Sequence, residues 1–162
     1  MRPGRGSIRN QLSLDSPRPV GRVLRSICYD AVVSERSLEM IEAIVAAGRR
    51  QPGLALLMIF GSQARGDARA GSDWDFGYLG EIDADGLMLD LVNALGTDRI
   101  DLVDLARASG LLRYRAARDG QPVLEGVPGA HARFWLEAVD FWCDAQPLLM
   151  AGYDDVLTAL DR

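Results

Sequence analysis

The chain has 162 residues, 48% of them hydrophobic and 25% charged, the composition of one folded domain and not of a disordered or fibrous chain. No apolar run approaches the roughly 20 residues that span a bilayer. Two cysteines and one histidine are too few for a disulfide framework or a structural zinc site. No short apolar stretch near the start reads as a secretory signal, so a reduced, cytoplasmic protein is expected, without a membrane. The net charge of −5 is unevenly spread: all eighteen cations are arginine, and six of them lie in residues 1–25 against Asp15 alone, so that stretch carries +5 and the remainder −10. An acidic body lacks the cations that supply most affinity for nucleic acid, which is not an expected partner, but it suits divalent cations.

Residues 1–33 read as a separate, flexible basic arm, interrupted by Pro3, Gly4, Gly6, Pro17, Pro19 and Gly21. Residues 34–162 read as the folded domain. Leu38, Ile41, Ile44 and Val45 recur at helical spacing opposite Glu35, Glu39 and Glu42, with Ser34 as N-cap and Gly48 as the residue just past the end. The run Leu54-Ala55-Leu56-Leu57-Met58-Ile59-Phe60 follows a Pro-Gly turn and predicts a strand buried on both faces. A glycine-containing turn over 61–71 follows, with a short helix about Gln63 to Arg65. Residues 73–79 predict a second strand, with Asp73, Asp75, Gly77 and Leu79 on one face and Trp74, Phe76 and Tyr78 on the other.

Asp83 then caps a helix that buries Leu87, Leu91, Val92 and Leu95 and ends at Gly96. Residues 99–105 predict a third strand, 110–118 a helix and 121–125 an edge strand. An aromatic helix over 130–146 carries Phe134, Trp135, Phe141 and Trp142, packed into the core, and stops near Pro147; a last short helix covers about 153–161. His131 is expected at the surface, and Cys28 and Cys143 as inert thiols. Alternating helices and strands predict an α+β, α/β-like fold: a small mixed β-sheet with helices packed on it.

The chemistry concentrates in Gly61-Ser62-Gln63-Ala64-Arg65-Gly66-Asp67 and Ser72-Asp73-Trp74-Asp75. A P-loop needs Lys and Ser/Thr after its last glycine, where Asp67 and Ala68 stand, and the dinucleotide fingerprint Gly-x-Gly-x-x-Gly is absent. What remains is a buried strand ending in Gly-Ser. Gly61 lets a ligand approach the backbone, and Ser62 brings a hydroxyl and N–H donors suited to phosphate. Asp73 and Asp75 sit two apart on one strand face, their Cα atoms about 6.5 Å apart at strand rise. Carboxylates that close repel unless a cation joins them, and hard oxygen ligands favour Mg²⁺. A third carboxylate on the next strand would complete a two-metal clamp with ions about 3.5–4 Å apart. Asp101 and Asp104 compete for that place, and their opposite strand parity lets only one face the site.

Gly-Ser, ten residues and Asp-x-Asp, here Gly61-Ser62 and Asp73-x-Asp75, resembles the signature of the nucleotidyltransferases of the DNA polymerase beta superfamily. The flanking words, Ile100-Asp101-Leu102-Val103-Asp104-Leu105 and the Arg118-Asp119-Gly120 turn are similar to the minimal nucleotidyltransferases, and within them to the MntA-like antitoxins of HEPN–MNT pairs. The resemblance covers about residues 36–160. It implies that Gly61 and Ser62 hold the triphosphate of ATP and that Arg65 neutralises its outer phosphates, a surface ion pair being the other reading of that arginine. It implies two Mg²⁺ ions on Asp73, Asp75 and Asp101, with Asp101 favoured over Asp104 and helping to deprotonate the attacking hydroxyl. The implied reaction is AMP transfer to a tyrosine of a HEPN-type toxin, the chain acting as antitoxin. Transfer to a small molecule such as an aminoglycoside, and neutralisation by binding alone, are the competing readings.

Overall fold

The computed structural model describes the backbone of residues 35–160 and the side chains of 38–146. The expected arm over 1–33 and the Ser34 cap lie outside the described residues. The order is α1 (Glu35–Arg49), β1 (Leu54–Phe60), α2 (Gly61–Arg65), β2 (Trp74–Gly80), α3 (Ala84–Leu95), β3 (Ile100–Asp104), α4 (Gly110–Asp119), β4 (Gln121–Glu125) and α5 (Ala130–Leu160). Among the described residues no helix is long and apolar enough to cross a membrane.

The four strands form one mixed sheet in the order β3-β2-β1-β4. β1 pairs antiparallel with β2 and β4. β2 and β3 are parallel, as a strand–helix–strand crossover through α3 requires. β1 is central and apolar along its whole length because both its faces are covered. Leu57 and Ile59 pack with Ile41 and Ile44 of α1 and Leu87 and Leu91 of α3. Leu56, Met58 and Phe60 pack on the opposite face with Ala116 of α4 and Phe134 and Ala138 of α5. Leu54 has the parity of Leu56 yet joins the first cluster. A bulge between Leu54 and Leu56 turns it over. Pro122 sits in β4, the edge strand, where a missing N–H is tolerated.

Four local expectations are corrected. Gly48 does not end α1; it lies inside the helix, where a Cβ would press on Leu54, Leu57 and Leu124, so it serves close packing and not a turn. Leu38 stays exposed, because the helix meets the core only from Met40 and Ile41 onward. Pro147 does not stop α5, and no separate last helix forms: one helix runs from Ala130 to Leu160. Proline removes one backbone bond, and the helix-forming Leu148, Leu149, Met150 and Ala151 that follow sustain the helix. The aromatic stripe is not core throughout. Positions 130, 134 and 138 face the sheet at a spacing of four and are buried, whereas Trp135 and Phe141 are 42% and 54% exposed and Trp142 stacks on Tyr114.

His131 also departs from a surface placement. It is half-buried, its Nε2 has no hydrogen-bond partner, and burial pushes its pKa down despite the nearby Glu125.

Candidate active site

The site forms where β1 ends and β2 and β3 begin. Phe60 lies opposite Asp75, and Asp75 opposite Asp101, so one row crosses three strands. In-register residues of neighbouring strands project to the same face, and Asp73, expected as a strand residue, lies just before β2 begins at Trp74, close enough for its charge to act on Asp75. The three carboxylates are therefore neighbours in charge: Asp75 has its pKa raised first by burial, then by the negative charges of Asp101 and Asp73, with Arg65 opposing. Among the described residues no hydrogen-bond donor reaches the Asp75 carboxylate.

Gly61 makes room for that carboxylate. Its φ of 70° is left-handed, and a Cβ there would run into the Asp75 carboxyl group, so both conformation and space ask for glycine. Ser62 opens the single turn of α2, its carbonyl accepting from the N–H groups of Gly66 and Asp67. Gly66, left-handed at φ 77°, closes the turn. Arg65 thereby points back toward the strand ends.

A cleft of about 440 Å³ opens here between the end of β1 and α4. Gly61, Arg65 and Asp75 line it; Ser62, Asp73 and Asp101 do not. Three charged cleft residues were not singled out from the sequence as site residues: Arg115, Arg118 and Asp119. The Arg118-Asp119-Gly120 turn was visible, but nothing in its spacing says that α4 returns to the strand ends. Asp119 is clamped by Nε and Nη2 of Arg118, each donating at 2.7 Å, and Arg65 approaches it at 3.7 Å while also pairing with Asp67 at 3.2 Å. Those cations hold the Asp119 carboxyl below its usual range.

Asp104 does not face this cleft. Its carboxylate caps the turn after β3 by accepting from the Ala106 N–H at 2.9 Å, and it pairs with Arg107 at 3.4 Å. Asp101, of opposite parity, is the β3 carboxylate beside Asp75.

The donor set suits a hard divalent cation: oxygen ligands only, with repulsion that positive charge would relieve. The carboxylates do not form a closed cage, since among the described residues no group of three or more His, Cys, Asp or Glu is gathered tightly enough to hold a metal ion unaided.

Comparison with known proteins agrees with this geometry. The chain is 33% identical over 113 residues to the protein adenylyltransferase MntA of Aphanizomenon flos-aquae, a match covering 61% of this chain and 70% of the relative. Its fold is similar to a chain in the crystal structure of a toxin–antitoxin complex with AMP-PNP, with a TM-score of 0.63 and 28% identity over 72% of this chain and 98% of the other. It is also similar to a chain of the Shewanella oneidensis complex of a tri-AMPylated HEPN toxin with an MNT antitoxin, with a TM-score of 0.59 and 26% identity over 75% and 98% of the two chains. The family profile described as Polymerase beta, Nucleotidyltransferase matches residues 42–126, which hold Gly61-Ser62, all three carboxylates and the α4 arginines. By that match, and by a mixed sheet that gathers the motif at one end, the chain belongs to the polymerase beta nucleotidyltransferase family.

Proposed function

We propose that this protein is an antitoxin that transfers AMP from ATP to a tyrosine hydroxyl of a HEPN-type toxin in the cytoplasm, with Mg²⁺ as cofactor. The observation that carries the reading is the Asp75 carboxylate, held over Gly61, repelled by Asp101 and Asp73 and faced by Arg65 in one cleft. A partly buried acid kept in electrostatic conflict is a mark of a working site. The relatives supply the acceptor class, being an MntA adenylyltransferase and an MNT antitoxin bound to an AMPylated HEPN toxin.

Gly61 and Ser62 bind the triphosphate along the backbone, and Arg65 faces its outer phosphates. Asp73, Asp75 and Asp101 would hold two Mg²⁺ ions, whose chemistry when bound would be to screen the phosphate charge and stabilise charge on the attacking and leaving oxygens. Asp101 takes the proton of the incoming hydroxyl. The hydroxyl oxygen forms a bond to the α-phosphorus, the bond from that phosphorus to its bridging oxygen breaks, and pyrophosphate leaves with the electron pair.

The test is incubation with ATP, Mg²⁺ and the toxin encoded beside this protein. Gain of an adenylyl group on a toxin tyrosine, lost in Asp73→Asn, is the expected result. No gain of mass overturns the reading. Full neutralisation of the toxin by a chain carrying both Asp73→Asn and Asp75→Asn would replace it with neutralisation by binding alone, and protection of cells against aminoglycosides would replace it with small-molecule transfer.

A further inference from the structure

The wall of the cleft opposite Asp75 is built from α4, and its chemistry is cationic. Arg115 and Arg118 of that helix face the same space as Arg65. They fall there because α4 packs its other side, Ala116 and Ala117, into the core beneath Phe60 and Met58. The positions three apart, 112, 115 and 118, are turned toward the strand ends. With Asp119, this wall has two positive groups and one negative, and Arg65 across the cleft adds a third cation.

Two of the three guanidinium groups are held. Both oxygens of Asp119 engage Arg118, and the same carboxylate attracts Arg65 from the other side of the cleft. The Arg118 guanidinium carbon lies 5.9 Å from the centre of the Tyr114 ring, and Tyr114 stacks on Trp142 at 4.7 Å. α5 therefore braces the ring that braces Arg118. Arg115 is exposed and, among the described residues, has no ion-pair partner. Each guanidinium carries five donors. Asp119 uses two of those on Arg118, which leaves a fork free on a fixed group.

From this arrangement we infer that Arg115 and Arg118 bind the outer phosphates of the nucleoside triphosphate together with Arg65, and that Asp119 is a positioning residue that holds Arg65 and Arg118 at the spacing the polyphosphate needs. The inference rests on the nucleotide site described above and extends it to α4. The physical reason is division of labour along one cleft. The acidic strand ends take metal ions and the α-phosphate. The doubly charged tail needs planar, permanently charged forks, which bind phosphate oxygens in pairs. An aspartate beside a phosphate site would oppose binding if it were unpaired. Clamped by Arg118 and low in pKa, Asp119 leaves the wall net positive while fixing its geometry.

The experiment is calorimetric titration of the full chain with AMP-PNP and, separately, with AMP, both with Mg²⁺. Arg115→Gln and Arg118→Gln should each weaken AMP-PNP about tenfold, the scale of one lost charge-assisted hydrogen bond, while AMP changes less than about twofold. Asp119→Asn should show the same selective loss, and Asp119→Glu should recover part of it. Arg107→Gln, at the far end of the sheet, should change neither. AMP-PNP affinity unchanged in both arginine variants, or equal loss of AMP and AMP-PNP, overturns the inference while leaving the nucleotide site standing. A wild-type chain that binds neither ligand overturns both.

Discussion

The two ends of the β2–β3 pair carry the same kind of residue and treat it in opposite ways. At one end Asp75 lies opposite Asp101, with Asp73 nearby, and burial together with those two charges raises the cost of ionising Asp75. At the other end Asp104 lies opposite Tyr78, and its two oxygens are satisfied by a backbone N–H and by Arg107. A larger cleft, of about 820 Å³, lies at the Asp104 end and is lined by Tyr78, Asp104 and Arg107 among others. Size alone would choose that end as the active site. The state of the carboxylates chooses the other. A satisfied aspartate does structural work, whereas an aspartate kept in repulsion stores a preference for cations that folding alone does not use.

The contrast can be broken most forcefully by Asp75→Asn. Nucleotidyl transfer should fall by at least about a hundredfold, as expected when several kcal/mol of transition-state charge stabilisation go with a metal ligand. Thermal stability at neutral pH should hold or rise, because the substitution removes a repelled charge. A variant that unfolds instead would show that the conflict at this end has been misread. Asp104→Ala should do the reverse. It should cost about 1 kcal/mol of unfolding free energy, the scale of one cap hydrogen bond, and leave transfer within about twofold. Denaturant titration beside an activity assay checks both halves of that statement.

The smallest effect is in the pH dependence, and it sharpens the same point. Asp75 holds its proton to a higher pH in the folded chain than the 3.8 of an ordinary aspartate. Its contribution to stability is thus present in full below 3.8 and is lost as pH rises through the raised folded value. Asp119, with its pKa lowered, behaves oppositely: its contribution is present above 3.8 and is lost as pH falls through the lowered value. Subtracting the stability profile of Asp75→Asn from that of the wild type should leave a component that declines with rising pH above 3.8. A flat difference would mean that the carboxyl is not under repulsion.

Much of the fold was legible because the signals are local. The seven apolar residues of β1, Asp83 accepting from the Gly86 N–H and Gly96 in left-handed conformation all act through neighbours in sequence. Elements misread from sequence are those whose fate is set by distant contacts. Gly48 looks like a helix stop until Leu57 and Leu124 are seen against it. Phe134 and Phe141 look equivalent until the sheet covers one and leaves the other exposed. At the site, the spacing of Gly61, Ser62, Asp73 and Asp75 was readable; strand parity said that only one of Asp101 and Asp104 could face it, and the family resemblance favoured Asp101. Arg115, Arg118 and Asp119 were not readable as cleft residues, because about 40 residues of chain separate them from Asp75 and only the return of α4 brings them back.

The sequence by itself determined the alternation of elements, the motif and the acidic character of the body, since periodicity, spacing and charge are properties of the chain. Tertiary structure alone decided which carboxylates share a face, which arginines confront them and which aromatic side chains remain uncovered. Those depend on register and helix packing, where a shift of one residue turns a side chain to the other side of the sheet.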